Sequence, residues 1–324
     1  MNITELLTDP TLQTVLLGTA CIGAVSGGLG CFAYLRKQSL IGDVVAHSSL
    51  LGIMIFFLAS YWVTGEGNKS LWILIPGAIV SGVVALLFNN WLSSHPRVRE
   101  DSSLGIILAI FFGSGILILR WVQRTNPPIS GRRGLDGYIF GQAASMTQSD
   151  VVMVASMGMV AAILLFVFWK ELKAYTFDPL FTQSIGRGGF KIDLLLIVLL
   201  VIGIVVGIQS IGVVLMIAML VTPAAAARQW TNSLLGMVCL AALFGATSGI
   251  AGSVISATTA KMPTGPVIVL CSIVIFVFSL FFSSSRGILF TWKPGKTAGR
   301  IEANTASSSV AKDSASDSWN KESR

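Results

Sequence analysis

Charged residues are scarce in this chain. Asp, Glu, Lys and Arg make up 11% of the 324 residues, against 53% hydrophobic residues, and the mean hydropathy is +0.78. The charges also cluster, which leaves long runs with no formal charge, namely 10–35, 70–94, 194–227, 229–260 and 262–285. Because about 20 apolar residues suffice to cross a bilayer, this composition excludes an ordinary soluble domain and predicts a polytopic membrane protein. The runs do not alternate polar and apolar residues, so a β-barrel is excluded as well.

Histidine is the second scarce residue, with 2 in the chain. No glutamate follows His47 or His95, so an HExxH metalloprotease motif cannot be written. A nucleotide-binding P-loop is also missing, because residues 295–297 have the Gly-Lys-Thr ending but Phe290 stands where the first glycine is needed. No dinucleotide fingerprint or serine nucleophile elbow stands out. These absences argue against an enzyme.

Cysteine supplies no evident site either. The 4 cysteines all lie inside apolar segments and form no CxxC pair. We interpret them as small buried hydrophobic residues. A cleavable signal peptide is not expected, because the first apolar run lacks a positively charged leader.

The apolar runs predict an all-α transmembrane bundle with eight or nine spans. The sixth and seventh predicted spans share the charge-free run 194–227, which is short for two crossings of about 20 residues each. Small-xxx-small glycine pairs predict close helix packing. These pairs are Gly23 and Gly27, Gly203 and Gly207, and Gly245 and Gly249. The spans are placed at 11–34, 41–63, 71–92, 104–121, 151–169, 192–209, 211–227, 233–257 and 265–283.

Positive charge is in excess, with a net charge of +7 and a pI near 9.4. The basic residues stand at the ends of apolar runs, which indicates topology-setting charges in contact with membrane lipid rather than nucleic-acid binding. They predict an outside N-terminus and a cytoplasmic C-terminus, with the loop 120–136 as an exception because its four arginines would lie outside. We expect a permease domain over residues 1–290. Residues 291–324 are rich in Ser, Ala, Lys and Asp, which predicts a disordered cytoplasmic tail.

Asp43 and His47 stand out because they lie four residues apart in a long apolar segment. That spacing places both side chains on one face of a helix. One interpretation is that Asp43 caps a helix at the membrane surface and His47 is a buried, hydrogen-bonded histidine. The other is that both bind a divalent metal, since a carboxylate and an imidazole suit Mn, Fe or Zn. Two ligands are an incomplete set, which favours transient passage.

A second candidate is the amphipathic stretch 175–181, Tyr-Thr-Phe-Asp-Pro-Leu-Phe, which is expected on the cytoplasmic side. Asp178 before Pro179 favours a helix start, because proline is well tolerated at the first helical position. The stretch is either a plain surface loop or a short helix that docks into a partner protein and transmits movement.

Several segments, in order, resemble the ABC-3 type membrane permeases of bacterial ABC importers for manganese, zinc and iron. Residues 36–51, RKQSLIGDVVAHSSLL, resemble that family's RxSLIGDAxSHxxLPG segment, although Leu51 replaces the usual proline. Thr182 stands where the family commonly has alanine after FDPxF. The other matching segments are EDSSLGI at 100–106, GLDGYIFGQ at 134–142, FDP at 177–179, the run 212–228 and PTGP at 263–266.

This resemblance implies a bundle like that of type II ABC importers, in which Asp43 and His47 line the metal pathway. Phe177, Asp178 and Pro179 would contact an ABC ATPase subunit. It also implies a second permease subunit, identical or a sister chain, and an extracytoplasmic metal-binding protein or lipoprotein. No cofactor would be permanently bound, since the metal is cargo and the partner uses the ATP. The chain would be a bacterial plasma-membrane protein without enzymatic activity. A stand-alone secondary metal transporter driven by an ion gradient remains the alternative.

Overall fold

The computed structural model describes residues 9–36, 39–65, 67, 70–95, 97–126, 129–131, 135, 146–178, 182, 189–259 and 262–283. Over these ranges the regular structure is helical, which confirms the predicted all-α fold. The tail 291–324 and Pro179 lie outside them. In chain order the helices are α1 (Pro10–Leu35), α2 (Ser39–Thr64), α3 (Leu71–Ser93), α4 (Glu100–Arg124), α5 (Gln148–Val167), α6 (Trp169–Phe177), α7 (Gly189–Ile211), α8 (Val213–Trp230), α9 (Leu234–Thr258) and α10 (Thr264–Phe282).

The number of predicted spans was too high. In the described part of the chain, 7 helices are long and apolar enough to cross a membrane, namely α1 to α5, α9 and α10. The two remaining predictions fall on α7 and α8, which meet at Gly212, where φ is 93°. The 18 residues of α8 reach only about 27 Å, less than the ~30 Å hydrocarbon core.

Side-chain caps define several helix ends. The Asp9 carboxylate accepts a hydrogen bond from the Thr11 backbone at 2.8 Å and so caps α1. Thr147 and Asp150 form a reciprocal capping box at the start of α5. The Ser233 hydroxyl accepts from the Gly236 backbone at 3.2 Å at the start of α9. Each cap satisfies backbone donors that have no partner within the helix, so these starts are fixed by local sequence.

The spanning helices differ in how deeply they are buried. In the most apolar stretches of α1 and α2, 67% of residues are buried, against 22% for α5 and for α10. α1 packs against α9, α8, α5 and α7, whereas α2 packs against α3 and α4. α7 contacts members of both groups. α1 and α2 are therefore the interior helices, and the large apolar side chains exposed on α5 and α10 form an outer surface suited to lipid.

Glycines allow α1 and α9 to pack with their backbones in contact, as the small-residue spacing predicted. A Cβ on Gly23 would overlap the Gly245 carbonyl, and a Cβ on Gly245 would overlap the Gly23 carbonyl. A Cβ on Gly249 would likewise overlap the Thr19 carbonyl. The Thr19 hydroxyl adds a buried 3.0 Å hydrogen bond with Ser253. This close approach fixes α9 against the interior helix.

Gly23→Val should lower the free energy of unfolding by ~1–3 kcal/mol or more, because the new side chain would force α1 and α9 apart. Thermal unfolding of the purified protein in detergent would measure the loss. Gly113→Val in α4 is the matched control, since a Cβ there meets nothing within 4 Å. Equal melting temperatures for the two variants would contradict the α1–α9 packing.

Exposed tryptophans mark both ends of the bundle. Trp62 near the end of α2 and Trp72 near the start of α3 are 76% and 73% exposed. Trp121, in the last turn of α4, and Trp91, near the opposite end of α3, are also exposed. Tryptophan is enriched where a membrane surface meets water. The exposed tryptophans at the two ends of the bundle thus agree with the hydrophobic helices in showing a multi-pass membrane protein.

Candidate metal pathway and its neighbouring cluster

Asp43 and His47 are brought together on α2, as their spacing predicted. The His47 Nε2 atom lies 3.1 Å from Asp43 Oδ1, and the two side chains are 18% and 35% exposed, respectively. α2 begins at Ser39, so Asp43 lies inside the helix. The alternative that Asp43 caps this helix is therefore wrong, because a capping residue precedes the first helical turn. The pair lies about 6–12 Å along the helix from its start.

The helix around this pair is tightly held. Val45, Ala46 and Ser48 are fully buried. The Ser81 hydroxyl of α3 donates a 2.7 Å hydrogen bond to the Ser48 carbonyl, which ties the back of α2 to α3. α2 runs unbroken through Leu51. The surroundings therefore fix the direction in which the carboxylate and imidazole point.

The imidazole of His47 is held by an aromatic ring and keeps one nitrogen unused. Its ring packs edge-on against Phe112 of α4, with centroids 4.6 Å apart. No described residue gives the buried Nδ1 atom a hydrogen-bond partner. A buried nitrogen without a hydrogen-bond partner is energetically costly.

The described residues supply an incomplete set of metal ligands. Among the described residues, no group of three or more His, Cys, Asp or Glu side chains is placed to hold a metal. α2 thus supplies two candidate metal ligands, one carboxylate and one imidazole. They can coordinate a divalent ion weakly, with water or another subunit filling the remaining positions.

The predicted docking stretch begins at the end of α6. Phe177, the last residue of that short helix, is 55% exposed. The Thr182 backbone donates a 3.2 Å hydrogen bond to the Asp178 carbonyl, and the Thr182 hydroxyl donates another at 2.9 Å. Phe177 therefore presents an exposed aromatic ring next to Asp178.

A polar cluster that the sequence analysis missed lies at the end of the bundle where α1 terminates. We call it the Arg36 cluster, and it consists of Arg36, Asn90, Tyr175 and Asp193. Arg36 Nη1 is 2.9 Å from Asp193 Oδ1, and Asn90 Nδ2 donates to Asp193 Oδ2 at 3.0 Å. The Arg36 guanidinium lies 4.9 Å from the centre of the Tyr175 ring. The cluster joins α1, α3, α6 and α7.

Tyr175 remains a neutral phenol in this setting. Burial raises its pKa above the usual value of 10.0, and the nearby Asp193 carboxylate raises it further. The ring therefore offers Arg36 an aromatic face without adding a charge. The one signal in the sequence for this cluster is Asp193, an acidic residue that opens an apolar run.

A separate, largely apolar cavity of about 840 Å³ lies between α1, α5, α6 and α9. It is lined by residues such as Ala24, Ala161 and Val238, and neither Asp43 nor His47 touches it. This cavity is therefore distinct from the candidate metal pathway.

Comparisons with known proteins agree across nearly the whole chain. Residues 8–283 match the family described as the ABC 3 transport family. The zinc transport system membrane protein TroC of Treponema pallidum is 44% identical over 88% of this chain and 93% of its own. The manganese transport system membrane protein MntC of Bacillus subtilis is 40% identical over 87% of this chain and 63% of its own.

A solved structure shows the same fold. PsaBC from Streptococcus pneumoniae, determined in complex with a Fab, superposes with a TM-score of 0.74 at 28% identity, over 88% of this chain and 96% of the matched one. Together with the span of the family match, this confirms the predicted family. The chain is a multi-pass membrane protein that belongs to the ABC 3 transport family.

Proposed function

We propose that this chain is the membrane permease subunit of an ATP-driven importer of divalent metal ions, manganese, zinc or iron. The observation that carries the proposal is the Asp43–His47 pair. It lies half-buried inside a membrane-crossing helix, with His47 Nδ1 lacking a described partner. Ionisable groups at such a position are costly unless they serve the transport path. The names of TroC and MntC, for zinc and manganese transport, support the same class of cargo.

The pair suits passage of the ion rather than storage. A second permease copy, or a closely related chain, would add its own carboxylate and imidazole and double the ligand number. Even four such ligands leave positions for water, so the ion can enter and leave. Oxygen and nitrogen ligands accept Mn²⁺, Zn²⁺ and Fe²⁺ alike, so this pair does not choose among them. Selectivity is then expected to lie in the binding protein.

The partners follow from the two ends of the bundle. We place the Arg36 end in the cytoplasm, where Phe177, Asp178 and Pro179 would bind an ABC ATPase subunit. This puts the N-terminus outside and the tail 291–324 in the cytoplasm. The opposite end would receive metal from an extracytoplasmic binding protein or lipoprotein. Residues 1–290 form the permease domain in this arrangement, and the chain itself performs no catalysis.

Growth rescue tests this function. The chain would be expressed together with its extracytoplasmic metal-binding protein in a bacterium that lacks its own manganese, zinc and iron uptake systems, with and without a matching ABC ATPase. We expect growth at low metal, and co-purification of the ATPase, only when both are present. Rescue by the chain alone, dependent on an ion gradient, would instead support the secondary-transporter alternative.

A further inference from the structure

We infer that the cavity between α1, α5, α6 and α9 is a binding site for an anionic phospholipid. The lipid would come from the leaflet at the Arg36 end of the bundle, which is the cytoplasmic leaflet in the orientation proposed above. The cavity volume of about 840 Å³ lies within the ~300–1,000 Å³ range of small-molecule sites. The cavity is therefore large enough to hold a ligand.

The lining of the cavity is charged at one end and apolar over the rest. Lys170 and Glu171, in the first turn of α6, are the charged residues of the described lining. Deeper in the bundle the lining residues are small and apolar, for example Ala24 of α1, Gly158 of α5 and Ala242 of α9. A charged end and a long apolar remainder match the two parts of a phospholipid, its headgroup and its acyl chains.

The apolar part of the cavity is about as deep as one leaflet. Gly158 lies nine residues before the end of α5 at Val167, and Ala24 lies eleven residues before the end of α1 at Leu35. At a rise of about 1.5 Å per residue, these two positions lie about 14 and 17 Å from their helix ends. Half of the ~30 Å hydrocarbon core is about 15 Å. An acyl chain lying along the cavity would thus end near the middle of the bilayer.

The rim of the cavity is open to the membrane. Three large apolar residues of the lining are strongly exposed, namely Phe166 at 81%, Val167 at 63% and Leu235 at 62%. Phe166 and Val167 belong to α5, whose outer surface is suited to lipid. An acyl chain can enter from the bilayer, because the rim that it would cross is both apolar and exposed.

The charge at the mouth of the cavity favours an anionic headgroup. Lys170 is exposed, and so is Lys173, one turn further along α6. These two lysines outnumber Glu171, so this part of α6 carries a net positive charge. Trp169, which also lines the cavity, is of the residue type that is enriched at the level of the headgroups. Basic pockets between membrane helices are typical binding sites for anionic headgroups.

A second permease copy is the rival occupant of this cavity. In the function proposed above, that copy would approach Asp43 and His47 on α2 to complete their set of metal ligands. α2 contributes no residue to the described lining of the cavity. A copy placed to complete the metal site therefore has no need of this cavity, which leaves the cavity to lipid.

Native mass spectrometry of the full chain in detergent tests the site. The probes are phosphatidylglycerol, which is anionic, and phosphatidylethanolamine, which is zwitterionic, with identical acyl chains. We expect the wild type to bind phosphatidylglycerol at least fivefold more tightly. Lys170→Ala should weaken phosphatidylglycerol binding about fivefold, the effect of one basic residue near a membrane surface, and leave phosphatidylethanolamine binding unchanged.

Filling the cavity should weaken the binding of both lipids. Ala162 lines the cavity and is exposed, so a larger side chain there enters the cavity without disturbing a packed core. Ala162→Trp should therefore lower the affinity for each lipid at least tenfold. The melting temperature of the variant reports whether it folds, and if it does not fold, Lys170→Ala decides the result alone.

Lys191→Ala is the matched control, because Lys191 is exposed near the start of α7 and does not line the cavity. This variant should bind phosphatidylglycerol as the wild type does. No phosphatidylglycerol binding by the wild type, no preference for it, or an equal loss in Lys170→Ala and Lys191→Ala would each overturn the lipid site. Loss of permease dimers in Ala162→Trp with unchanged lipid binding would make the cavity a subunit interface. Neither metal nor ATPase is needed, so the result is independent of the proposed transport function.

Discussion

Replacing Asp43 or His47 with alanine is expected to reduce metal uptake at least tenfold, and replacing both should abolish it. Loss of a residue that merely supports a metal ligand costs roughly 10–100-fold, so removing a ligand should cost no less. Asp43→Ala also leaves His47 Nε2 without its 3.1 Å partner, and His47→Ala leaves a space beside Phe112. Uptake of radioactive Mn²⁺ and Zn²⁺ by cells that express the whole transporter measures the effect.

His95→Ala is the matched control for this experiment. His95 is the other histidine of the chain, and it lies exposed beyond the end of α3, where its Nδ1 is 3.1 Å from the Trp91 carbonyl. This variant should transport metal at the wild-type rate. The Asp43 and His47 variants should still co-purify with the ATPase, since α2 is also held by Val45, Ala46 and Ser48, which are fully buried. Loss of assembly together with uptake would show a structural role instead.

Shortening the side chains at the exposed end of α6 to alanine is expected to have the second large effect. Phe177→Ala, alone or with Asp178→Ala, should weaken binding of the ATPase subunit by about 30-fold or more, because buried aromatic anchors at interfaces commonly contribute 2 kcal/mol or more. Phe177 is exposed in the isolated chain, so its removal should leave the fold unchanged. The amount of ATPase that co-purifies with the permease, measured beside metal uptake, reports the loss.

Phe166→Ala is the matched control for this truncation. Phe166 is 81% exposed on α5, a helix whose outer surface is suited to lipid. The Phe166→Ala permease should bind the ATPase as the wild type does. If Phe177→Ala keeps full ATPase binding and full uptake, the stretch 177–179 is a plain surface loop, which was the other interpretation of its sequence.

The helices were predictable because apolar runs and charges locate membrane spans directly. The predicted spans 11–34, 41–63 and 71–92 fall within α1, α2 and α3. The four-residue spacing of Asp43 and His47 also predicted their contact, since residues at that spacing share a face of a helix. Similarly, the glycines at 23 and 245 predicted close packing, although not that these two positions would face each other.

The features that the sequence did not predict depend on contacts between segments that are distant in the chain. Arg36 and Asp193 are far apart in the chain, and each alone indicated no more than the end of a span. Their pairing depends on how α1 and α7 pack, which local periodicity does not specify. The number of spans in the described part of the chain was also lower than predicted, and α8, which follows the break at Gly212, is only 18 residues long. The orphaned His47 Nδ1 likewise follows from packing against α4.

Uptake by purified proteoliposomes tests the central claim most directly. Liposomes holding the permease and its ATPase would be given Mn²⁺ or Zn²⁺ together with the extracytoplasmic binding protein on the side opposite the cytoplasmic face. ATP would be supplied at the cytoplasmic face, with ionophores present to remove ion gradients. We expect metal to accumulate in the import direction only with ATP, and not at all in the Asp43→Ala/His47→Ala complex. Gradient-driven accumulation by the permease without the ATPase, or wild-type accumulation by the double variant, would contradict a metal path through Asp43 and His47 in an ATP-driven importer.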